Sequence, residues 1–494
     1  MRYDYIVIGS GISGLASAII LSRHGLRVAV VEKAKQIAPL LKGFQRKGIH
    51  FDTGFHYTGS LGKGEALDNY FRYLGIASSL QKIPFDPQCF DSFYFPGENF
   101  TFELPYGYDR IREQLLRFFP KEKAGIDQYL KIVEQEFNNS PHLNHNLSCM
   151  DLPYSKFSEM NLKALLKSLT SNQKLYSVLS LHHLLYGTEP GLSSVSIHAQ
   201  VSGSLYQSVH GIEGGGRTLA KALISRLKEL GADMFPGRRI AGIIASSGKF
   251  KQVVFVDGEV LQASGCVSSI HPRALLSMVE DKAFRPSTRR RFMAFEDTAS
   301  AYMFSAAIDQ LPSALHQKNL FLCPDMNTDD YCSSDRPLEN RPFFLAPCQT
   351  ENQTSKPGLI MLCPASFQEV LPWMHSRSNR RPEEYVQTKE KLMKKVRTHI
   401  LASVPGMSDS LEILDCATPL TFRDYSNAPS GGLYGIKQKA GQINPSPLCK
   451  IQGLYLTGQS LAGPGILGGT VSAFLTCGFI LGRQALHQEV RKCR

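Results

Sequence analysis

The 494-residue sequence lacks the cysteine and histidine patterns that hold metal ions or disulfide frameworks. Its 11 cysteines are scattered, with no C-x-x-C pair and no Cys/His spacing that suits zinc. Zinc-finger and RNP-like aromatic motifs are also missing, which argues against a nucleic-acid partner. The odd cysteine count and the lack of a signal-peptide pattern indicate a reducing compartment, the cytoplasm. We therefore expect no metal site and buried, unreactive thiols.

A continuous apolar run of membrane-spanning length is missing too. The two long uncharged stretches, 5–22 and 451–482, are interrupted by glycines, and Pro464 lies in the middle of the second. Its uninterrupted apolar part, 471–481, is shorter than the ~20 residues that a helix needs to cross a bilayer. Buried strands and helices are the favoured interpretation. Lys and Arg outnumber Asp and Glu by 55 to 43, and the formal net charge of +12 suits an anionic membrane surface.

The first 33 residues have the pattern of a dinucleotide-binding βαβ unit. An apolar strand, 5–8, precedes G-x-G-x-x-G at Gly9, Gly11 and Gly14, and a helical segment and a second apolar strand follow. The glycines permit a tight turn, backbone approach to a pyrophosphate and close helix–strand packing, in that order. Glu32 ends the second strand, where its carboxylate can accept hydrogen bonds from ribose hydroxyls. The alternative is a glycine-rich packing corner with no ligand.

A second glycine-rich turn lies near the C-terminus. Residues 453–469, GLYLTGQSLAGPGILGG, have the pattern of a strand, a tight loop and the start of a helix. The Glu32 carboxylate would repel a phosphorylated adenosine ribose, but it does not separate NAD from FAD. FAD is long, and a late segment that places Gly458 and a helix N-terminus beside its pyrophosphate would hold it from a second side. We therefore interpret the two turns as a clasp around one FAD, and we see no motif for covalent attachment.

The length predicts two or three domains, and the middle of the chain has the pattern of two insertions. A glycine triplet, 214–216, opens an amphipathic helix, and strands follow near 239–244 and 266–272, which indicates a return to the nucleotide-binding domain. The predicted FAD-binding domain is discontinuous and the rest forms a substrate and membrane-facing domain. The boundaries are 1–75, 201–275 and 445–494 for the first, and 76–200 and 276–444 for the second.

Several motifs carry a resemblance to a known family. In chain order they are GSGISGL (9–15), VVEK (30–33), GIHFDTGFHYTG (48–59), LLYGTEP (184–190), GIEGGGRTLAKAL (211–223), TPLTFRDYSNAPSGGLYGI (418–436) and the late glycine turn. On these motifs nearly the whole chain resembles the FAD-dependent phytoene desaturase superfamily, in its carotenoid isomerase and retinol saturase-like branch. The LTGQ of the late turn is the most specific. One departure is that the family has a Gly-Gly pair soon after the acidic residue, where this chain has QIAPLLKGF (36–44).

The resemblance implies an α/β fold with a Rossmann-type FAD-binding domain and a mixed α+β substrate domain over the flavin. It implies an oxidoreductase that saturates, desaturates or isomerises carbon–carbon double bonds of an apolar polyene or isoprenoid, such as a carotenoid or retinoid. The electron partner, NAD(P)H or a quinone, stays open, as does the oligomeric state. Peripheral membrane attachment is implied because such substrates reside in bilayers. Candidate membrane contacts are Arg289, Arg290, Arg291, Arg377, Arg380 and Arg381.

The same resemblance assigns the cofactor-binding residues. The residues expected to hold the ADP half, through backbone and side chain, are Gly9, Ser10, Gly11, Ser13, Gly14, Glu32 and Lys33. Ile240 would present its backbone to the adenine. The residues expected to hold the pyrophosphate, ribityl chain and flavin are Gly458, Gln459, Ile466, Leu467 and Gly468.

Saturation or desaturation of a carbon–carbon bond requires a proton donor or acceptor, and two residues are candidates for this role. His56 and Tyr57 fall where the family's strand passes near the isoalloxazine ring, and either can exchange a proton there. The alternative for His56 is a hydrogen-bonded structural histidine. The adjacent His182 and His183 of LHHLL are expected to line or support the substrate tunnel, because neighbouring helical residues point in different directions and do not form a metal site.

Two further functional classes stay open. A flavin amine oxidase-like enzyme has the same nucleotide-binding architecture, but it would need a polar or acidic pocket for a small polar substrate. A non-catalytic lipid or prenyl-binding chaperone of the GDP-dissociation-inhibitor type uses this fold without redox chemistry. The two intact glycine turns and Glu32 favour an enzyme over the chaperone.

Overall fold

The computed structural model describes residues 2–149, 155–333, 335–348, 356–378 and 380–493. Its strands in chain order are β1 (Arg2–Ile8), β2 (Val28–Val31), β3 (Phe44–Arg46), β4 (Ile49–Phe51), β5 (Thr58–Gly59), β6 (Lys82–Pro84), β7 (Asp91–Phe95), β8 (Phe100–Leu104), β9 (Val209–Ile212), β10 (Asp233–Phe235), β11 (Ile240–Ser246), β12 (Lys249–Phe255), β13 (Val260–Ser268), β14 (Ser300–Ala307), β15 (Asn319–Leu322), β16 (Phe343–Pro347), β17 (Gly358–Ala365), β18 (Glu412–Ala417) and β19 (Leu454–Leu456).

The α-helices connect and cover these strands. In chain order they are α1 (Ile12–Arg23), α2 (Pro39–Lys42), α3 (Ala66–Leu74), α4 (Tyr108–Phe118), α5 (Lys123–Asn138), α6 (Leu162–Leu169), α7 (Gln173–Ser180), α8 (Val195–Gln207), α9 (Gly215–Glu229), α10 (Pro272–Leu276), α11 (Pro286–Ala294), α12 (Glu383–Ser403), α13 (Pro419–Ser426), α14 (Gly465–Leu481) and α15 (Arg483–Arg491). Among the described residues, no helix is both long enough and apolar enough to cross a membrane.

The first sheet brings the two ends of the chain together. Its order is β10-β2-β1-β13-β12-β11, and β19 pairs with the C-terminal end of β13. The pairs among β10, β2, β1, β13 and β19 are parallel, whereas β12 and β11 are added antiparallel. The short run of β2, VAVV, is buried at every position, as expected of a parallel strand covered on both faces. Only β13 separates the first strand from the late strand β19.

Helices α1 and α14 follow these two strands and pack against each other. A Cβ added at Gly469 would lie 2.5 Å from Cγ2 of Ile12, so glycine is required for the two helices to approach this closely. Further along, the Cys477 thiol lies 3.8 Å from the carbonyl oxygen of Ser17. The two glycine-rich turns, which precede these helices, therefore lie side by side.

The second sheet has the order β18-β14-β17-β16-β15-β7-β8, and only its β15–β7 pair is parallel. Its core is rich in aromatic side chains: Phe93, Phe95, Phe102 and Phe321 are all buried. A third, three-stranded sheet has the order β5-β9-β6. The architecture is therefore α/β, with a Rossmann-type sheet and a second, mainly antiparallel sheet, as the sequence predicted.

Candidate functional site

A cavity of about 750 Å³ lies between the two large sheets. It is bordered by the carboxyl ends of β1 and β2, where Ile8 and Val31 lie, and by Ala301 and Phe321 of the second sheet. Every predicted site residue except Gly14 contributes to its lining. These residues are Gly9, Ser10, Gly11, Ser13, Glu32, Lys33, His56, Tyr57, Ile240, Gly458, Gln459, Ile466, Leu467 and Gly468. The fold thus brings residues from both ends of the sequence to one cavity.

Gly11 and Gly14 have different surroundings, which explains why only one of them borders the cavity. A Cβ added at Gly11 would meet no protein atom within 4 Å, so the space beside this backbone is open. Gly11 is also the N-cap of α1, whose first N–H groups are free of intrahelical partners. A Cβ at Gly14 would instead collide with the carbonyl oxygen of Gly9. An open cradle at a helix N-terminus fits a pyrophosphate, and Gly14 fits a close helix–strand contact.

Glu32 is buried at the end of β2 and is held by the glycine turn itself. Its Oε2 accepts hydrogen bonds from the Ser10 N–H at 3.0 Å and the Ser10 hydroxyl at 2.7 Å, and its Oε1 accepts one from the Ala34 N–H at 2.9 Å. Each carboxylate oxygen has two acceptor positions, so Oε1 retains one beyond these contacts. The orientation that these bonds fix is suitable for accepting a ribose hydroxyl at the cavity.

Lys33 makes contacts that the sequence did not predict. Its ammonium group donates to the carbonyl oxygen of Asp424 at 2.7 Å and to Oδ1 of Asn427 at 2.6 Å. Burial lowers the pKa of Lys33 to about 8, although the neighbouring Glu32 carboxylate opposes that shift. Lys33 therefore connects the C-terminal end of α13 to the segment that follows β2. Lys33 also borders the cavity, and the contact with ADP that the resemblance implies stays a prediction.

The segment that lacks the family's Gly-Gly pair still forms a tight turn. Ala38 has a left-handed backbone, with φ of 58°, and its N–H donates to the Ser10 hydroxyl at 2.8 Å. Alanine adopts this conformation at a cost of about 1–2 kcal/mol, so glycine is not obligatory there. Gly43, with φ of 63°, is the position that cannot change, because a Cβ would collide with the carbonyl oxygen of Phe51. The residues of this turn that reach the cavity are Pro39, Leu40 and Leu41.

His56 lies in the cavity wall with its ring against Phe344, the two centroids being 5.8 Å apart. Burial lowers the pKa of His56, and the Asp52 carboxylate only partly opposes this shift. The imidazole is therefore neutral at pH 7, where it can accept a proton or a hydrogen bond. A neutral imidazole is a poor acid, so His56 is better suited to orient a substrate than to protonate it.

Tyr57 connects the cavity wall to a buried carboxylate. Its hydroxyl donates to Oδ2 of Asp91 at 3.0 Å, and its ring stacks on Phe344 at a centroid distance of 6.1 Å. Burial and the Asp91 carboxylate raise the pKa of Tyr57 well above its usual value, so the phenol stays protonated. His182 lies behind Asp91, with Nε2 3.2 Å from its Oδ2, whereas Leu184 and Leu185 border the cavity. The LHHLL segment thus both lines and supports the cavity.

The cavity around His56 and Tyr57 is apolar. The neighbouring lining side chains are Leu184, Leu185, Phe321, Phe344 and Leu362. Among the described residues that line the cavity, Glu32 is the one carboxylate, and it lies at the glycine turn. Asp52 and Asp91 lie behind His56 and Tyr57 and do not line the cavity, so an ammonium substrate at this wall would contact no carboxylate. The composition of this wall favours a ligand that is held by apolar contact.

Two parts of the lining were not recognised in the sequence. Ser269, directly after β13, lines the cavity and donates its hydroxyl to the carbonyl oxygen of Ile8 at 2.8 Å. Residues 425–428 and 432–435, which belong to the predicted substrate domain, line it as well. The Ser-Gly-Gly sequence at 430–432 could have indicated the second part, because glycine-rich loops allow close approach of the backbone to a ligand.

The candidate membrane contacts are in different environments. Arg381 is an ion-pair partner of Asp424 with a side chain that is only 8% exposed, so it is not available to a lipid surface. Arg290 and Arg291 of α11 are exposed, as is Met293 beside them. The predicted set of basic contacts is thus wrong at Arg381 and stays a prediction at α11.

Residues 12–321 match the family described as flavin containing amine oxidoreductase. The chain is 25% identical over 535 residues to all-trans-retinol 13,14-reductase of Danio rerio, covering 98% of this chain and 87% of that protein. It is 24% identical to prolycopene isomerase 1, chloroplastic, of an Oncidium hybrid cultivar, covering 94% and 81%. The fold is similar to the crystal structure of an oxidoreductase from Methanosarcina mazei, with a TM-score of 0.67, 16% identity and coverage of 95% and 98%.

Proposed function

This chain belongs to the flavin containing amine oxidoreductases, with FAD as its cofactor, and on that premise we propose that it acts on carbon–carbon double bonds of an apolar polyene or isoprenoid. The reaction is saturation, desaturation or cis–trans isomerisation of a carotenoid- or retinoid-like molecule. The curated relatives support this substrate class, since one is named for retinol and another for prolycopene. The observation that carries the proposal is the apolar wall around His56 and Tyr57.

The proposed FAD site uses both glycine turns. The backbone of Gly11 and the N-terminus of α1 would hold the pyrophosphate, Glu32 the adenosine ribose, and Ile240 the adenine. Gly458, with the backbone of 466–468, would hold the ribityl and flavin portions from the other side. Bound FAD supplies two-electron chemistry, while the protein supplies orientation, exclusion of water and protons. In this arrangement the discontinuous domain of 1–75, 201–275 and 445–494 binds FAD, and the remaining chain forms the substrate domain.

Proton transfer to or from a substrate carbon is assigned to Tyr57, with His56 orienting the substrate. His56 is neutral because of its burial, so it does not offer an acidic proton at pH 7. Tyr57 retains its proton and borders the cavity, and its hydroxyl donates to the buried Asp91 carboxylate. General acid–base catalysis of this kind contributes about 10²- to 10⁴-fold to a rate.

A flavin amine oxidase-like activity is the second candidate, because the family description includes amines. It is disfavoured by the lack of a carboxylate beside His56 and Tyr57 among the described lining residues. The third candidate is a lipid-binding chaperone of the GDP-dissociation-inhibitor type. The open cradle at Gly11 and the oriented Glu32 carboxylate favour bound FAD over this reading.

Product analysis under anaerobic conditions tests the proposal. FAD-loaded protein, oxidised or chemically reduced, is incubated with retinol, a cis-carotenoid or a small diamine. The products are separated by chromatography, and their masses are determined by mass spectrometry. We expect a polyene product that gains two hydrogens, loses two hydrogens or changes only its geometry, and no change in the diamine. Oxidation of the diamine with all polyenes unchanged would instead establish the amine oxidase alternative.

A further inference from the structure

We propose that Asp91, held by His182 and Asn319, is a positioning residue for Tyr57 and exchanges with it the proton that Tyr57 takes from or gives to the substrate. This inference rests on the proposed function, because it deepens the role given to Tyr57. Asp91 is 0% exposed and does not line the cavity, so it can act on a substrate only through Tyr57.

The carboxylate of Asp91 is fixed by groups from three separate elements. Oδ2 accepts from the Tyr57 hydroxyl at 3.0 Å and from His182 Nε2 at 3.2 Å, whereas Oδ1 accepts from the Asn319 amide at 2.9 Å. Asp91 and Asn319 are the first residues of β7 and β15 and are partners in the parallel register. His182 belongs to the 3₁₀ turn Leu181–Leu185. Three convergent donors on one buried carboxylate leave the phenol little freedom to rotate.

A buried carboxylate is costly unless it is paired, which makes its position informative. The surrounding core consists of phenylalanines, among them Phe90, Phe93 and Phe321, whose rings lie 5.6–6.4 Å from that of His182. An apolar pair would fill this core at lower cost. The charged group is instead placed where it contacts the one polar atom of a cavity-lining tyrosine. Placement of this kind is typical of a functional acid or base.

The hydrogen bonds continue behind His182. Its Nδ1 lies 3.4 Å from the Ser202 hydroxyl, which lies 3.4 Å from Nε2 of His198. His198 in turn contacts the hydroxyls of Tyr129 at 2.9 Å and Tyr186 at 3.1 Å. The cavity wall is thus the end of a hydrogen-bonded path that runs from Tyr57 through Asp91 and His182 into the second domain.

The Tyr57–Asp91 contact allows a balanced proton transfer. As a substrate C–H bond breaks, its proton forms an O–H bond with Tyr57, and the original Tyr57 proton passes to Oδ2 of Asp91 along the hydrogen bond that joins them. The result is a restored phenol and a protonated Asp91, and the electron pair of the broken bond stays with the substrate. Protonation of the substrate is the same step in reverse, and neither direction moves electrons between these residues.

The same domain offers a matched control pair. The Tyr176 hydroxyl donates to Oδ1 of Asp329 at 2.5 Å, and Asp329 also pairs with Lys163. Neither Tyr176 nor Asp329 lines the cavity. Removal of the Tyr176–Asp329 hydrogen bond is comparable to removal of the Tyr57–Asp91 bond, but it leaves the residues of the proposed path unchanged.

A double-mutant cycle on the FAD-loaded protein tests the inference. We expect Tyr57→Phe to lower kcat about 100-fold and Asp91→Asn about 10-fold or more, with KM and FAD content unchanged. Because Asp91 acts through Tyr57, the double variant should be no slower than Tyr57→Phe alone. Asp329→Asn should leave kcat unchanged. A full Asp91→Asn effect in the Tyr57→Phe background, or an equal loss in Asp329→Asn, would overturn the proposal.

A second measurement does not depend on turnover. With 3-fluorotyrosine placed at position 57, ¹⁹F NMR follows ionisation of this phenol as pH rises. Asp91→Asn should lower the pH at which the phenol ionises, since the neighbouring negative charge is gone, and His182→Gln serves if Asp91→Asn does not fold. An unchanged titration in both variants would overturn the proposal. If no polyene reacts but the titration shifts, the proposed function fails and the Asp91–Tyr57 coupling stands.

Discussion

At the residue scale, the site depends on single atoms whose surroundings differ between neighbouring positions. Gly11 opens onto the cavity, whereas Gly14, in the same motif, is enclosed by the backbone of Gly9. Glu32 is a candidate acceptor for the ribose hydroxyls, and it also accepts hydrogen bonds from the Ser10 and Ala34 N–H groups. Substitutions at these positions should therefore separate cofactor binding from folding.

Gly11→Val and Gly14→Val are expected to fail in different ways. The Gly11 variant should fold, at a cost of about 1 kcal/mol for a poorer N-cap, but it should not bind FAD even in excess. The Gly14 variant should lose at least about 3 kcal/mol of unfolding free energy, because its side chain meets backbone. Denaturant unfolding of the apoprotein and FAD titration measure the two effects. Equal stability of the two variants would contradict the assigned roles.

Glu32→Ala should weaken FAD binding about ten- to hundredfold, since a hydrogen bond to a charged group contributes roughly 1.5–3 kcal/mol. Excess FAD should restore the holoprotein, and its turnover should be close to normal because the ribose does not react. Ser10→Ala is the control: it loses hydroxyl contacts with Glu32 and Ala38 but keeps the carboxylate, so its loss of affinity should be smaller. Unchanged affinity in Glu32→Ala would remove Glu32 from the ribose site.

At the element scale, the turn around α2 borders the cavity and is held to strand β4 by close backbone contacts. The turn around α2 combines a left-handed Ala38 with a left-handed Gly43, and Gly43 packs directly on Phe51 of β4. The β4–β5 region continues to His56 and Tyr57. Strain or displacement at Gly43 should therefore reach the cavity wall.

Gly43→Ala should destabilise the protein by about 2–4 kcal/mol. The left-handed backbone accounts for about 1–2 kcal/mol and the collision with Phe51 for the rest. Gly48→Ala is the matched control, since Gly48 also has a positive φ but a Cβ there meets nothing within 4 Å. It should show only the backbone cost. Unfolding midpoints of the two variants decide this, and equal losses would mean that the contact with Phe51 contributes nothing.

At the scale of the whole molecule, the contacts between distant segments were the hardest to predict. The periodicity of 5–31 was sufficient to identify β1, α1 and β2, because apolar spacing is a local property. The bond between Lys33 and Asn427 joins positions 394 residues apart, and the bond between Asp91 and Tyr57 crosses between sheets. Neither has a local sequence signal, since both depend on how the completed domains meet.

Reversible membrane attachment also belongs to the whole molecule. Charge reversal of the exposed residues Arg290 and Arg291 on α11 should reduce binding to anionic liposomes and leave binding to neutral liposomes unchanged. Lys249→Glu with Lys251→Glu makes the same change in charge on exposed positions of β12 and should have a smaller effect. Added salt should weaken the wild-type interaction. Binding that is insensitive to salt, or equally reduced by both pairs, would contradict an α11 contact.

The most direct test of the central claim is the amount of flavin that the protein carries. The two glycine turns are proposed to clasp one FAD without a covalent bond. Purified protein, reconstituted with FAD and freed of excess, should show a flavin spectrum and release about one FAD per chain into the supernatant on denaturation. A folded protein that stays colourless after reconstitution, or a flavin that remains attached to the denatured chain, would contradict the account.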